Sequence, residues 1–301
     1  METGGKILSL SDTVERHASL TQLKLPVFPG AAFELRQLLA SDDASIDQIS
    51  QVISKDQAIA TNVLKLANST FYSGTNRSVR TVRDAVMCLG SNHILNLVIC
   101  SCQHTYYKSQ NKMLSKYLEI LWQHALCVSI GSKWLLHELG YRKFEDEGFL
   151  AGLLHDIGKL VIIKTVEAIY SADINIDLRH PNISITIESM HAQQGYKLLD
   201  AWSIPVVYSN ISLNHHSPDF DASDILSIAV RISNQVCRKM GISTNSERPA
   251  DVAASPEIKA LAIDEYVLAD LETVILDAVQ SEYSMLNELG LDNSTPYGIY
   301  L

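Results

Sequence analysis

Apolar residues recur at helical spacing in segment after segment of this chain, and no run alternates apolar and polar residues long enough to argue for a sheet. That feature commits the chain to helices packed on helices. Ser45-Ile46-Asp47-Gln48 has the form of a capping box, and Ile46, Ile49 and Ile53 then follow at helical spacing. Asp56 is placed to cap a second helix with the stripe Ile59, Val63, Leu66, Ala67. A third starts at Thr81-Val82-Arg83-Asp84 and stops at Gly90; Ser91 is read as the cap of a fourth, through Ile94, Leu97, Val98 and Cys102. The pattern then predicts a long amphipathic helix from Leu114 to Leu139 and a helix apolar almost all round from Phe149 to Val166. Helices from Ser184 to Trp202, Val206 to His216 and Ser223 to Met240 follow. After a loop from Ser243 to Pro256, a last helix is expected from Glu257 to Leu289, with Gly290 as its stop. Ile183 to Ile187 is the nearest candidate for a strand and fits a helix start equally well.

At 301 residues the chain can bury roughly three quarters of its extended surface, so it needs no disulfides to fold. Its five cysteines, at positions 88, 100, 102, 127 and 237, are odd in number and sparse. They form no zinc-ribbon pattern and read as small apolar filler in a reducing compartment. The net charge of −10 argues against a nucleic-acid partner, because neutralising phosphates needs clustered Lys and Arg. The N-terminus METGGKILSLSDTVERH has neither a long apolar core nor a small-residue cleavage site, and the apolar runs are too short to cross a bilayer. The expectation is a cytoplasmic protein with no membrane association. The polar stretch Lys108-Ser109-Gln110-Asn111-Lys112 marks the best internal boundary. It divides an N-terminal helical lobe (21–107) from a C-terminal lobe (108–245), flanked by an N-terminal extension (1–20) and a C-terminal loop and long helix (246–301).

The strongest local signal for chemistry is Leu154-His155-Asp156-Ile157-Gly158-Lys159. A carboxylate in so apolar a segment is costly unless partnered, and a divalent metal is one natural partner for adjacent imidazole and carboxylate groups. Further ligands are available on other expected helices: His124 upstream, and His191, His215 and His216 downstream. A helical bundle can bring such residues to one centre. Each also has a plainer reading. A single histidine on an apolar face is more often a core residue with one hydrogen bond, and His215-His216 sits at a helix end, where histidines serve as C-terminal charges. Lys159 could attract a phosphate, or could be a turn of helix reaching solvent. Cys127 and Cys237 read as packing, and Trp122, Trp134 and Trp202 as core or lobe-interface aromatics.

Several short motifs then occur in one order. They are Leu25-Pro26-Val27-Phe28-Pro29, the stretch Ile53 to Ile59, the stretch Val63 to Tyr72, and Val82 to Gly90. Leu121-Trp122-Gln123-His124, the LLHDIGK run, Glu188 with His191 and Gly195, Trp202 with Pro205, and Asn214-His215-His216-Ser217-Pro218 follow. Together they resemble the HDOD family, the HD-related output domain, over roughly residues 20–240. The resemblance implies an all-α, multi-helix HD-domain-like bundle, with an N-terminal helical lobe and a C-terminal HD-like lobe, related to HD-domain metal-dependent phosphohydrolases and HD-GYP phosphodiesterases. In the wider superfamily the metal set is His, His-Asp and a late Asp. Here the first three fall on His124, His155 and Asp156, and the late position is Asn234. An uncharged amide is the weaker ligand, so metal affinity should fall and a bridging hydroxide be less well organised. No glycine-tyrosine-proline signature follows the HHSP segment, so hydrolysis of cyclic-di-GMP is not supported.

By this resemblance the chain is a stand-alone bacterial signal-transduction protein, non-catalytic or weakly catalytic. It has a metal-binding pocket formed by His124, His155, Asp156, His191, His215 and Asn234, which would take Fe, Mn, Zn, Ni or Mg. Asn68 and Ser69 are either a partner surface or an inter-helix polar clamp, with the clamp favoured. The expected partner is a signalling protein or a small phosphate-containing ligand, with room for a homodimer. The competing reading is a metal-dependent phosphohydrolase acting on a nucleotide or other phosphate ester, with Asp156 and Lys159 catalytic. A third reading makes every histidine a core residue.

Overall fold

The computed structural model describes residues 10–20, 30–39, 44–68, 79–104, 106–172, 180–244 and 251–288. The protein is all-α, and no strand occurs among the described residues. Helix α1 (Leu10–Leu20) is followed by α2 (Gly30–Leu39), α3 (Ile46–Ser54), α4 (Gln57–Asn68), α5 (Val82–Leu89) and α6 (Ser91–His104). Helices α2 to α6 pack on one another, while α1 packs on the later helices. Those are α7 (Lys112–Glu138), α8 (Glu145–Leu154), α9 (Ile157–Ser171), α10 (His180–Ala201), α11 (Val206–Asn214), α12 (Ile225–Lys239), α13 (Pro256–Ala260) and α14 (Glu265–Glu288). Contact between the two helix groups runs chiefly from α6 to α8. No described helix is long and apolar enough to cross a membrane.

Local chemistry sets many of the boundaries. Ser45 and Gln48 form the expected capping box of α3, and Thr81 and Asp84 form another at α5. The Asp56 carboxylate accepts from Ile59 N at 3.1 Å at the start of α4. Gly90 closes α5 at φ 81°, a backbone conformation that suits glycine. Ser91 is the first residue of α6 rather than its cap. Ile183 to Ile187 lies inside α10, and Gly290 lies outside the described residues.

Two expected helices are broken. The segment read as one helix from Phe149 to Val166 is two, with the joint at His155 and Asp156; Asp156 leaves helical geometry at φ −106°, ψ 15°. Apolar residues continue across the joint, so periodicity alone does not reveal it. The last helix is also split, because Ala262 takes φ 50° and the Asp264 carboxylate caps α14 by accepting from Tyr266 N and Val267 N.

Helix α7 is the axis of the second group, with α8, α12 and α14 packed around it. Its approach to α8 is close enough that a Cβ on Gly152 would lie 2.6 Å from Ser129 Cα. Trp122 is buried with its ring edge-on to Tyr107, at 5.2 Å between centroids. Trp134 and Trp202 pack half-buried against the core. Cys127 and Cys237 are buried thiols, and Cys88 is an exposed one.

Candidate metal centre

The break between α8 and α9 presents Asp156 to the interior. The His155 ring bonds the Gly152 carbonyl through Nδ1 at 2.6 Å, and the Ser212 hydroxyl of α11 donates to the His155 carbonyl at 2.9 Å. Four histidines from α7, the α8–α9 joint, α10 and the end of α11 surround this carboxylate. His124 Nε2 and His155 Nε2 both lie 3.4 Å from Asp156 Oδ2. His191 Nε2 and His215 Nε2 lie 3.5 and 3.4 Å from Oδ1. All five residues are at most 3% exposed.

Backbone carbonyls fix the way these rings face. His124 Nδ1 is 2.7 Å from the Ile242 carbonyl, His191 Nδ1 3.0 Å from that of Ile187, and His215 Nδ1 2.8 Å from that of Ser212. A carbonyl only accepts, so each Nδ1 carries the proton and donates. In the neutral rings every Nε2 therefore points a bare lone pair at the carboxylate. None of the four Nε2 atoms has a hydrogen-bond partner, and the cation beside the carboxylate is the Lys159 ammonium, 2.8 Å from Oδ2. Lys159 offsets the charge of the carboxylate from one side but leaves the four imidazole lone pairs uncapped, and buried acceptors facing one another repel unless a further positive group sits among them.

Burial is the leading influence on His124, His191 and His215, and it pushes all three below the ordinary value of 6.5, His215 to about 4. Burial alone would raise Asp156, but the Lys159 ammonium and then the neighbouring imidazoles hold its carboxyl well below the usual range. Neutral imidazoles with one carboxylate are a ligand set suited to first-row divalent ions. Two ligand atoms each about 2.1 Å from one ion in tetrahedral arrangement lie about 3.4 Å apart, the spacing found here. The residues present thus fit a divalent metal.

The remaining sequence-predicted residues fall in different places. Lys159 does not reach solvent: it is buried on α9, with its Nζ 2.8 Å from Asp156 Oδ2 and 3.5 Å from Glu188 Oε1. Asn234 is buried on α12, which packs on α7 and α8. Asn68 lies away from the histidines. Its side-chain amide donates to the Leu64 and Val79 carbonyls at 2.8 and 2.7 Å, and its Oδ1 accepts from Val79 N at 2.8 Å. This two-point bond to Val79 clamps the chain after α4; Ser69 lies outside the described residues. The His216 ring lies tilted against that of His215, at 4.0 Å between centroids, and with Asp156, His191 and His215 it forms a second group of ligand size beside His124, His155 and Asp156. Glu188 and Ser212 also serve the site, and nothing in local periodicity singles out either.

The lowered imidazoles give a pH prediction for chelator-treated protein. The unfolded chain takes up protons near pH 6.5 while folded His124, His191 and His215 resist protonation, so stability should fall as pH drops from about 6.5 to about 4. His215 alone should contribute up to about 3 kcal/mol of this loss. Asp156 has the opposite acid–base character and a depressed folded value, so its contribution persists through this window and is lost only at lower pH. Urea midpoints measured from pH 7 to 4 check this; a flat profile would contradict it.

Fold and site together define an all-α helical protein with a buried histidine–carboxylate cluster. Residues 25–218 match the HDOD domain, and the chain belongs to the HDOD family. A Treponema pallidum (strain Nichols) protein described only as uncharacterized is 26% identical over 203 residues, which are 64% of this chain and 38% of that protein. The chain therefore spans well under half the length of this curated relative. An HDOD domain protein of unknown function from Geobacter sulfurreducens superposes with TM-score 0.72 at 19% identity, covering 91% of this chain and 97% of that one. A Shewanella amazonensis SB2B protein, provisionally named a metal-dependent phosphohydrolase, superposes with TM-score 0.73 at 18% identity, covering 92% and 97%. At these identities the likeness concerns the fold alone.

Proposed function

We propose that the chain is a regulatory HDOD protein built around a divalent metal centre held by His124, His155, Asp156, His191 and His215, with little or no turnover of its own. The observation behind this reading is the convergence of four bare Nε2 lone pairs on one buried carboxylate. A divalent ion there would supply Lewis acidity and would tie together the helices that carry its ligands. The chain's own residues hold the imidazoles in one tautomer, exclude water and keep Lys159 against Asp156. The burial of every ligand and the uncharged Asn234 favour a sensing or structural centre over rapid catalysis. Its output would pass to a signalling partner or depend on a small phosphate-containing ligand in a cytoplasmic setting.

The test is metal content by elemental mass spectrometry, on untagged protein purified without chelator. Wild type should carry about one or two equivalents of Fe, Mn, Zn or Ni, and His155→Ala should lose them. Wild-type protein that stays metal-free after incubation with each of these ions would overturn the reading. One observation favours the phosphohydrolase as a second reading: Asp156 Oδ2 faces His124 and His155 while Oδ1 faces His191 and His215, the division of labour that a carboxylate shared by two ions requires. Metal-stimulated hydrolysis of any member of a phosphate-ester panel, abolished by His155→Ala, would establish that reading in place of the first.

A further inference from the structure

Arg231 of helix α12 reaches the backbone around the histidines at the end of α11. Arg231 is 7% exposed, and its guanidinium bonds the backbone on both sides of the His215-His216 pair. Its Nη1 donates to the Asn214 carbonyl at 3.0 Å and its Nη2 to the Ser217 carbonyl at 2.7 Å, one residue either side of the two histidines. The other edge of the guanidinium is held by Glu257 of α13, which is 2% exposed: Nε is 2.8 Å and Nη2 2.6 Å from Glu257 Oε1. The Phe220 ring lies 5.0 Å from the guanidinium carbon. Such a buried pair adds little net stability over apolar packing, so its observable contribution is geometric. A planar fork can fix two carbonyls and one carboxylate at once, which an ammonium cannot. Both residues lie beyond residue 218, where the HDOD match ends.

We propose that Arg231, oriented by Glu257 of α13, is a positioning residue that sets His215 for metal binding, so that α13 controls the affinity of the centre. This inference rests on the metal reading above. The guanidinium fixes the carbonyls flanking the histidine pair, and this holds the His215 ring where its Nδ1 meets the Ser212 carbonyl and its Nε2 faces Asp156. Residues that support metal ligands from behind typically change affinity by about 10- to 100-fold when altered.

The experiment compares wild type, Arg231→Lys, Glu257→Gln and a control, Lys239→Gln. The control breaks the exposed ion pair of α12 with Glu272 on α14, away from the histidines. Co2+ titration is followed by visible absorption, thermal melting in chelator confirms folding, and 15N-histidine spectra of the metal-free proteins report the tautomers. Arg231→Lys and Glu257→Gln should bind Co2+ about 10- to 100-fold more weakly, with Lys239→Gln like wild type. In the spectra, His215 should lose its single tautomer while His124 and His155 keep theirs. If wild type binds no Co2+ but this selective change occurs, the positioning role stands and the metal reading falls. Folded variants with wild-type Co2+ affinity and unchanged histidine signals would overturn the proposal. Should Arg231→Lys fail to fold, Glu257→Ala, which removes the acceptor that orients Arg231, is measured in its place beside Glu257→Gln and decides the matter.

Discussion

Gly158→Ala should destroy the packing of α9 on α10 and with it the histidine cluster. A Cβ at this position would sit 1.9 Å from the His191 carbonyl oxygen and 2.5 Å from Gly195 N, both backbone atoms of the helix that carries a proposed ligand. Overpacked cores typically lose about 1–3 kcal/mol when side chains can shift, and more when they cannot. Here the obstacle is main chain, so the loss should exceed about 3 kcal/mol. Gly148→Ala is the natural comparison. Its Cβ would meet Leu136 Cδ1 at 2.3 Å, the far end of a side chain that can change rotamer, so the cost should stay near the lower end of that range. Urea denaturation of both variants separates the two cases; equal losses would show that the α9–α10 contact is softer than its geometry implies.

Lys159→Met should destabilise chelator-treated protein by about 3–5 kcal/mol, because it removes a cation paired with a buried carboxylate. The ammonium is 2.8 Å from Asp156 and itself buried, with Glu188 as its second partner at 3.5 Å. The pairing with these two carboxylates also raises the Lys159 ammonium above its ordinary range, even though burial opposes it most strongly. A divalent ion among the histidines would supply the missing positive charge. Saturating Mn2+ or Zn2+ should therefore narrow the gap between variant and wild type, beyond the general stabilisation that any ligand of the folded state provides. Melting curves in chelator and in metal give the two gaps. The same gap in both conditions would mean that Lys159 and the ion do not share the work of neutralising Asp156.

The helices themselves were legible because their signals are short-ranged. Ser45 with Gln48, Thr81 with Asp84 and the glycine at position 90 act over three or four residues, and each does in the structure what its spacing suggested. His124, His155, Asp156, His191 and His215 were also legible as candidates, because polar groups set in apolar helical stripes are expensive unless they meet. The breaks at His155-Asp156 and Leu261-Asp264 were not, since apolar residues run through both and the turn depends on partners elsewhere in the chain. Lys159 was ambiguous for the same reason: whether it faces solvent or Asp156 depends on how α9 lies against α10.

The sequence by itself determined that this protein is a bundle of helices and which side chains could hold a metal, since helical period, capping and the cost of burying charge are properties of neighbouring residues. Only the tertiary structure decided that these side chains converge, which nitrogen of each imidazole faces inward, and that Arg231, paired with Glu257, bonds the backbone on both sides of His215 and His216. Those facts depend on contacts such as the one from His124 to the Ile242 carbonyl, made across 118 residues by packing that no local pattern records.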